Sequence, residues 1–248
     1  VPADGGATVV VSELRASIGR RRVLDGVAFE ATGGLVCLAG ANGAGKSTLL
    51  RVLCGLQPFA GTARVGPADL ATRRGRRAAH ALVGYLPQES EVWVDLTVAE
   101  SVLYTGWLHR LADLEGAAVR ALESVGLVDR AGERAGSLSV GMRRRLALAQ
   151  AIVHDPPVLL LDEPTAGVDV AHRARFRDLL RGLGEDRTVL FASHLTEELE
   201  HLADRILVVD AGRLCFDGTA AALGEGAQPA AGEHPLEAAL RRLGSAAG

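Results

Sequence analysis

Residues 40–48 read "GANGAGKST", and this nonapeptide decides the fold. It holds the only lysine of the chain, Lys46, and the only asparagine, Asn42; every other member of the 27 lysine-plus-arginine positions is arginine. A chain rich in Ala, Gly and Arg fits a GC-rich coding bias, which replaces lysine wherever arginine serves. Lys46 therefore stands where a guanidinium would not serve. An ammonium is a compact point charge and a guanidinium a wide planar fork, so a tight loop around a phosphate has room only for the first. Gly40, Gly45, Lys46 and Ser47 stand at the spacing G-x-x-x-x-G-K-[ST] of a P-loop.

The residue types supply the mechanics. Gly43 and Gly45 open backbone conformations closed to residues with a Cβ, so that amide N–H groups converge on an anion. "STLLRVLCGL" then starts a helix whose N-terminal dipole favours the same anion. The preceding "LVCLAG" is a short apolar run that suits a buried strand. Asn42, Gly43, Ala44, Gly45, Lys46, Ser47 and Thr48 are the candidate phosphate-binding residues. Lys46 is expected at the β- and γ-phosphates and Ser47 on Mg²⁺.

The chain has 248 residues, enough for one large domain or a domain with a subdomain. A net charge of −3 and a pI near 6.2 leave no electrostatic footprint for nucleic acid. Cys37, Cys54 and Cys215 lack metal-ligand spacing and fit a reducing cytosol. No apolar run approaches the roughly 20 residues of a membrane span. The opening "VPADGG" has neither the basic start nor the apolar stretch of a signal peptide, so a cytoplasmic protein is expected.

"VLLLDEP" at 158–164 reads as a buried strand that delivers Asp162 and Glu163 to the crevice where open α/β sheets place their sites. Asp162 suits the Mg²⁺ shell, and Glu163 suits orienting or deprotonating a water. Two adjacent carboxylates on a strand should point to opposite faces and do different jobs. "TVLFASHL" at 188–195 is a further strand ending at Ser193 and His194, and His194 is placed to sense a γ-phosphate. His80, His109, His154, His172, His201 and His234 lie in Arg- or Ala-rich text and are expected to be solvated.

With these motifs in hand, the sequence resembles the ATP-binding subunit of an ABC transporter over roughly 8–243. The decisive stretch is "LSVGMRRRLALAQAI" at 138–152, a variant of the family signature LSGGQ. "YLPQ" at 85–88 resembles the Q-loop, with Gln88 as its glutamine; "AGVD" at 166–169 resembles the D-loop, with Asp169; "SH" at 193–194 resembles the switch histidine. The resemblance implies catalysis by Glu163, His194 and Gln88, and Mg²⁺ held by Ser47, Gln88 and Asp162. It also implies head-to-tail pairing with a second cassette, identical or paralogous. Ser139, Gly141 and Asp169 then meet the partner's ATP, and a permease on a separate chain supplies the only link to the membrane. Among family members the text looks most like single-cassette subunits serving drug and related efflux permeases, so export is expected over import.

Three departures accompany the resemblance. Val140 replaces a glycine and would be strained if that position needed φ > 0. Met142 replaces a glutamine, and Ile18 stands where the family stacks an aromatic residue on adenine. A GTPase reading fails for want of N-K-x-D, since the one Asn lies inside the P-loop. The interval from P-loop to signature is too short for the coiled coil of a DNA-repair ATPase, and a single cassette argues against a translation factor. A soluble regulatory ATPase is the remaining alternative.

The expected fold is α/β: a P-loop NTPase core with a small antiparallel β subdomain and an inserted α-helical subdomain at about 89–156. The cassette spans 1–220, followed at 221–248 by an Ala/Gly/Pro linker and a short amphipathic helix. Strands are expected near 8–13, 23–31, 35–39, 62–65, 82–86, 158–161, 188–192 and 205–210. "RRGRR" at 73–77 is expected to be a solvated face. Trp93 and Trp107, beside the Q-loop, suit either core packing or a surface that receives a permease helix.

Overall fold

The computed structural model describes residues 7–89, 92–225, 227, 229 and 233–245; the opening "VPADGG" and part of the expected linker lie outside them. In chain order the first half holds β1 (Val9–Ile18), β2 (Arg21–Ala31), β3 (Gly34–Ala39), α1 (Lys46–Leu53), β4 (Ala60–Val65), β5 (Ala68–Asp69), α2 (Arg73–Ala79) and β6 (Val83–Leu86). A helical stretch follows: α3 (Val98–Leu108), α4 (Leu114–Ser124), two 3₁₀ turns and α5 (Val140–Ile152). Then come β7 (Val158–Asp162), α6 (Val170–Gly184), β8 (Thr188–Ser193), α7 (Thr196–His201), β9 (Arg205–Asp210), β10 (Arg213–Gly218), α8 (Ala220–Gly224) and α9 (Pro235–Ser245).

The strands form two sheets. The antiparallel one runs β2-β1-β4-β5, and the larger runs β10-β9-β3-β8-β7-β6. In the larger sheet β6, β7, β8, β3 and β9 are parallel and β10 is an antiparallel edge. Every residue of β7 and β8 is buried, as expected of central parallel strands covered on both faces. Side chains alternate between two apolar cores. Val36, Leu38 and Leu160 join α1 and the antiparallel sheet, with Leu24, Leu49 and Val65. Leu35, Cys37, Leu159 and Leu161 join the helical layer, with Val102, Leu122, Leu146 and Phe176.

The helices of the inserted stretch start on side-chain caps. Thr97 and Glu100 form a capping box on α3, Asp113 caps α4, and Ser139 caps α5. β5, α2, β10 and α8 went unanticipated. The arginine run folds as α2 because Thr72 caps it; Arg73, Arg74 and Arg77 are exposed, but Arg76 turns in and donates to Leu70 O at 2.9 Å. β10 alternates only between exposed and half-buried residues, so it carries no apolar signal. It is paired with β9 through a tight turn at Ala211 and Gly212, both at positive φ. At the C-terminal end Leu223 of α8 and Leu236 and Ala239 of α9 join the core of the helical layer. Among the described residues no helix is long and apolar enough to cross a membrane.

Candidate functional site

The glycine loop leaves β3 at Gly40 and enters α1 at Lys46. Gly40 and Gly45 have φ of 142° and 113°, and neither has room for a side chain. A Cβ on Gly40 would stand 2.1 Å from Val209 O, and one on Gly45 would stand 2.7 Å from Leu24 Cδ2. No side chain caps α1, unlike the helices of the inserted stretch, so its leading amides are left for an anion. Lys46 is buried and donates from Nζ to Gly40 O at 2.7 Å and Ala41 O at 3.0 Å. Burial lowers its pKa, against the nearby carboxylates of Glu163 and Asp162. Ala44 and Thr48 are buried beside it.

Ser47 Oγ donates to Asp162 Oδ1 at 3.0 Å, joining the P-loop helix to the end of β7. Asp162 is 2% exposed, and burial pushes its carboxyl upward against the Ser47 hydrogen bond. Hydroxyl, carboxylate and the amide oxygen of Gln88 make a hard-oxygen donor set that fits Mg²⁺ completed by phosphate oxygens and water. Asn42, Gly43, Gly45, Lys46, Ser47, Thr48, Gln88 and Glu163 line one cleft of about 490 Å³, with Ile18, Arg21 and Val23 along its side. Ile18 is half exposed there, an apolar contact where a flat ring was missing.

Glu163 departs from the expected geometry. It is not a strand residue: β7 ends at Asp162, and Glu163 adopts φ 51°, the left-handed region. This turn, rather than strand alternation, separates the two carboxylates. Glu163 N donates to Ala192 O at 3.1 Å, and Oε1 lies 2.9 Å from His194 Nδ1. His194 thus reaches the cleft through Glu163. Three other histidines are not solvated as expected: His234 is half-buried with Nε2 3.2 Å from Glu200 Oε2, and the other two pack together. His109 and His154 are half-buried and stack with centroids 3.7 Å apart, and burial together with His109 lowers His154 to about 4. The side chain of His172 lies outside the described residues.

Ser139, Gly141 and Asp169 line a second cavity of about 520 Å³ with Met142 and Val168, apart from the P-loop cleft. Ser139 is the N-cap of α5 and accepts from Met142 N at 3.3 Å. Val140 is the first helical residue and does not have positive φ, so its bulk brings no backbone strain. It is exposed, and a Cβ added to Gly167 would come within 3.1 Å of its Cγ1. Met142 exchanges the polar amide for packing against the helical core.

A family model described as "ABC transporter" matches residues 24–166, more than half of the chain. The chain belongs to the ABC transporter family. It carries that family's ATP-binding, ATP-hydrolysing cassette. The Nod factor export ATP-binding protein I of Paraburkholderia xenovorans (strain LB400) is 39% identical over 225 residues, covering 88% of this chain and 72% of that protein. The daunorubicin resistance ATP-binding protein DrrA3 of Streptomyces coeruleorubidus is 40% identical over 224 residues, covering 88% and 69%. The chain spans 72% of the length of the Paraburkholderia protein, and 61% of a Nod factor export ATP-binding protein I of Rhizobium meliloti that is 37% identical to it. The solved structure of cbiO1 from Clostridium perfringens, part of the ABC transporter complex cbiONQ, superposes with a TM-score of 0.77 at 24% identity, covering 86% of this chain and 89% of that one.

This ABC cassette also holds residues that the motifs did not single out. Arg144, inside the signature helix, is 5% exposed and lies across the ends of β6 and β7. Its signal was spacing: it shares a helix face with Ala147, Leu148 and Ala151, an apolar stripe. Thr165 Oγ1 donates to Oε1 of the buried Glu198, tying the segment before Asp169 to α7. Trp93 and Trp107 are not core residues. With Tyr104 they form an exposed cluster: Trp93 meets Tyr104 edge to face with centroids 4.9 Å apart, Trp107 stacks on Tyr104 at 6.0 Å, and Trp93 and Pro87 line a cavity of about 570 Å³ beside it.

Proposed function

We propose that this cassette pairs head to tail with a second one around two Mg·ATP and drives export through a separate permease. The observation that carries the pairing is the split between the two cavities. The P-loop cleft holds Lys46, Ser47, Gln88 and Glu163, while Ser139, Gly141 and Asp169 line the other cavity. One chain cannot bring both to the same phosphate, whereas two chains in reciprocal orientation complete two sites.

Within the cleft the residues divide the work. Lys46 leaves its own loop carbonyls for the β- and γ-phosphate oxygens, and the uncapped start of α1 receives the same charge. Ser47, Asp162 and Gln88 hold the metal; Mg²⁺, when bound, offsets negative charge on the phosphates. Glu163 accepts the proton of the attacking water, and His194 fixes the Glu163 carboxylate and responds to the γ-phosphate. Ser139 and the amides near Gly141 present a helix start to the ATP of the partner, with Asp169 at the seam. The Trp93–Tyr104–Trp107 cluster beside the Gln88 segment receives a permease helix, and this contact alone brings the chain to the cytoplasmic face of the membrane. Relatives named for Nod factor export and daunorubicin resistance support export as the direction.

ATPase activity measured from nanomolar to micromolar protein tests the pairing. Specific activity should rise with concentration, because each site needs two chains. Specific activity that is constant down to the most dilute protein would overturn the composite site. Capture of a polytopic permease co-expressed with the chain, lost in Trp107→Ala, tests the docking surface.

A further inference from the structure

The guanidinium of Arg144 is bound by main-chain carbonyls of two segments far apart in sequence. Nε donates to Pro164 O at 3.1 Å. Nη1 donates to Pro87 O at 2.6 Å and Gln88 O at 3.0 Å. Nη2 donates to Asp162 O at 2.6 Å and Glu163 O at 2.8 Å. β6 and β7 are neighbours in the sheet and both end here, at Leu86 and Asp162. Beyond those ends the ladder stops and the carbonyls need other donors. Pro87 follows β6 directly and Pro164 follows β7 after Glu163, and a proline has no N–H to donate. Arg144 therefore caps two strand ends at once, from a helix whose first turn is the signature.

We propose that Arg144 is a positioning residue that holds Gln88 and Glu163 in register with each other and ties both to the signature helix. It rests on the roles of Gln88 and Glu163 proposed above. Glu163 sits at φ 51° with its carbonyl turned onto Nη2, so the bond helps hold the left-handed turn that aims its carboxylate. Gln88 is exposed and follows the last strand residue by two, so its placement depends on the carbonyls on either side of it. A tilt of α5, as when the signature meets a partner's nucleotide, pulls on both segments through one rigid, planar group. Lysine has no equivalent: its three N–H bonds leave a single nitrogen and cannot span five carbonyls on two strands.

The test uses the full chain with Arg144→Lys, Arg144→Gln, Glu163→Gln, Gln88→Ala and the double variant Arg144→Lys/Gln88→Ala. Turnover at saturating Mg·ATP, affinity for a fluorescent ATP analogue and melting temperature are measured on each, with turnover assayed well below the melting point. Arg144→Lys and Arg144→Gln should lower kcat at least about tenfold, up to about 10²-fold for a displacement near 1 Å. Nucleotide affinity should stay within about threefold, since the P-loop is untouched. Adding Gln88→Ala to Arg144→Lys should lower kcat by less than the product of the two single effects, because both act on one segment. Unchanged kcat in folded Arg144→Lys and Arg144→Gln overturns the proposal, as does a parallel loss of affinity and turnover. Failure of both variants to fold even with Mg·ATP also overturns it, since the residue would then hold up the fold rather than set the site. An active Glu163→Gln would instead strike at the role of Glu163 itself and leave the Arg144 result to be read separately.

Discussion

Replacing Glu163 by glutamine separates catalysis from grip. The side chain is 8% exposed and its Oε1 lies 2.9 Å from His194 Nδ1. Glutamine keeps an oxygen at that point to accept from the ring, keeps the volume, and keeps the main-chain bonds to Ala192 and Arg144. The cost in stability should therefore stay near 1 kcal/mol or below. Basicity is what disappears. Loss of a general base costs about 10²–10⁴-fold in rate, or roughly 2.7–5.4 kcal/mol of barrier. Nucleotide affinity should hold within about threefold, because Lys46 and Ser47 retain their partners. Steady-state ATPase assays give the rate, a fluorescent nucleotide gives the affinity, and gel filtration with Mg·ATP gives the assembly. The expected result is an ATP-bound dimer that barely turns over. Turnover within tenfold of the parent chain would refute the assignment and move the catalytic burden to His194.

Lys46→Arg should weaken ATP binding about tenfold or more although the charge is kept, because Nζ lies within 3.0 Å of two loop carbonyls and a guanidinium needs more room; titration with nucleotide checks it. Gly40→Ala should destabilise the chain by about 2–3 kcal/mol, read as a melting point lower by roughly 5–10 °C, since its Cβ would meet Val209 O and φ is 142°. His154 has its folded pKa held near 4, below the ordinary 6.5, by burial and by His109, against the Val83 carbonyl and Asp155; His80 bears on His109 in turn. The stability it contributes is fully present above pH 6.5 and is lost as pH falls toward 4, by roughly 1–2 kcal/mol after allowance for partial exposure. His154→Phe should flatten that part of the urea-midpoint profile, and an unchanged profile would refute it.

The parallel core was legible because three of its strands are apolar runs that stop at chemistry: Ala39 before the glycine loop, Asp162 before Glu163, Ser193 before His194. Buried β-rich text with a polar terminus has few other readings. The elements that escaped notice lack such contrast. β10 buries only alternate half-faces, and α2 looks like a charged loop until Thr72 is seen as its cap. The family resemblance put Gln88 with the nucleotide and set Ser139 and Asp169 on the partner's side, whereas spacing alone carried the P-loop residues and Glu163. Neither could show how Glu163 is turned, because φ 51° runs against the local preference of a non-glycine residue and occurs together with tertiary contacts to Ala192 and Arg144. The solvated reading of His109 and His154 failed for a related reason: residues 45 positions apart become stacked only when α3 packs on α5.

The alternation of side chains along β3 and β7 has a consequence for how this cassette can vary. Val36, Leu38 and Leu160 belong to the P-loop side, and Leu35, Cys37 and Leu161 belong to the helical side. The sheet is a partition with a separate apolar filling on each face. Substitutions in the two fillings should combine additively, since they share no packing neighbour. The helical layer, which carries the exposed Trp93–Tyr104–Trp107 cluster, can thus be re-cut over generations to follow a changing neighbour while the nucleotide-facing layer keeps its shape. Only main chain crosses the partition freely, and a side chain that reaches across strand ends, as Arg144 does, is not free to drift with either layer.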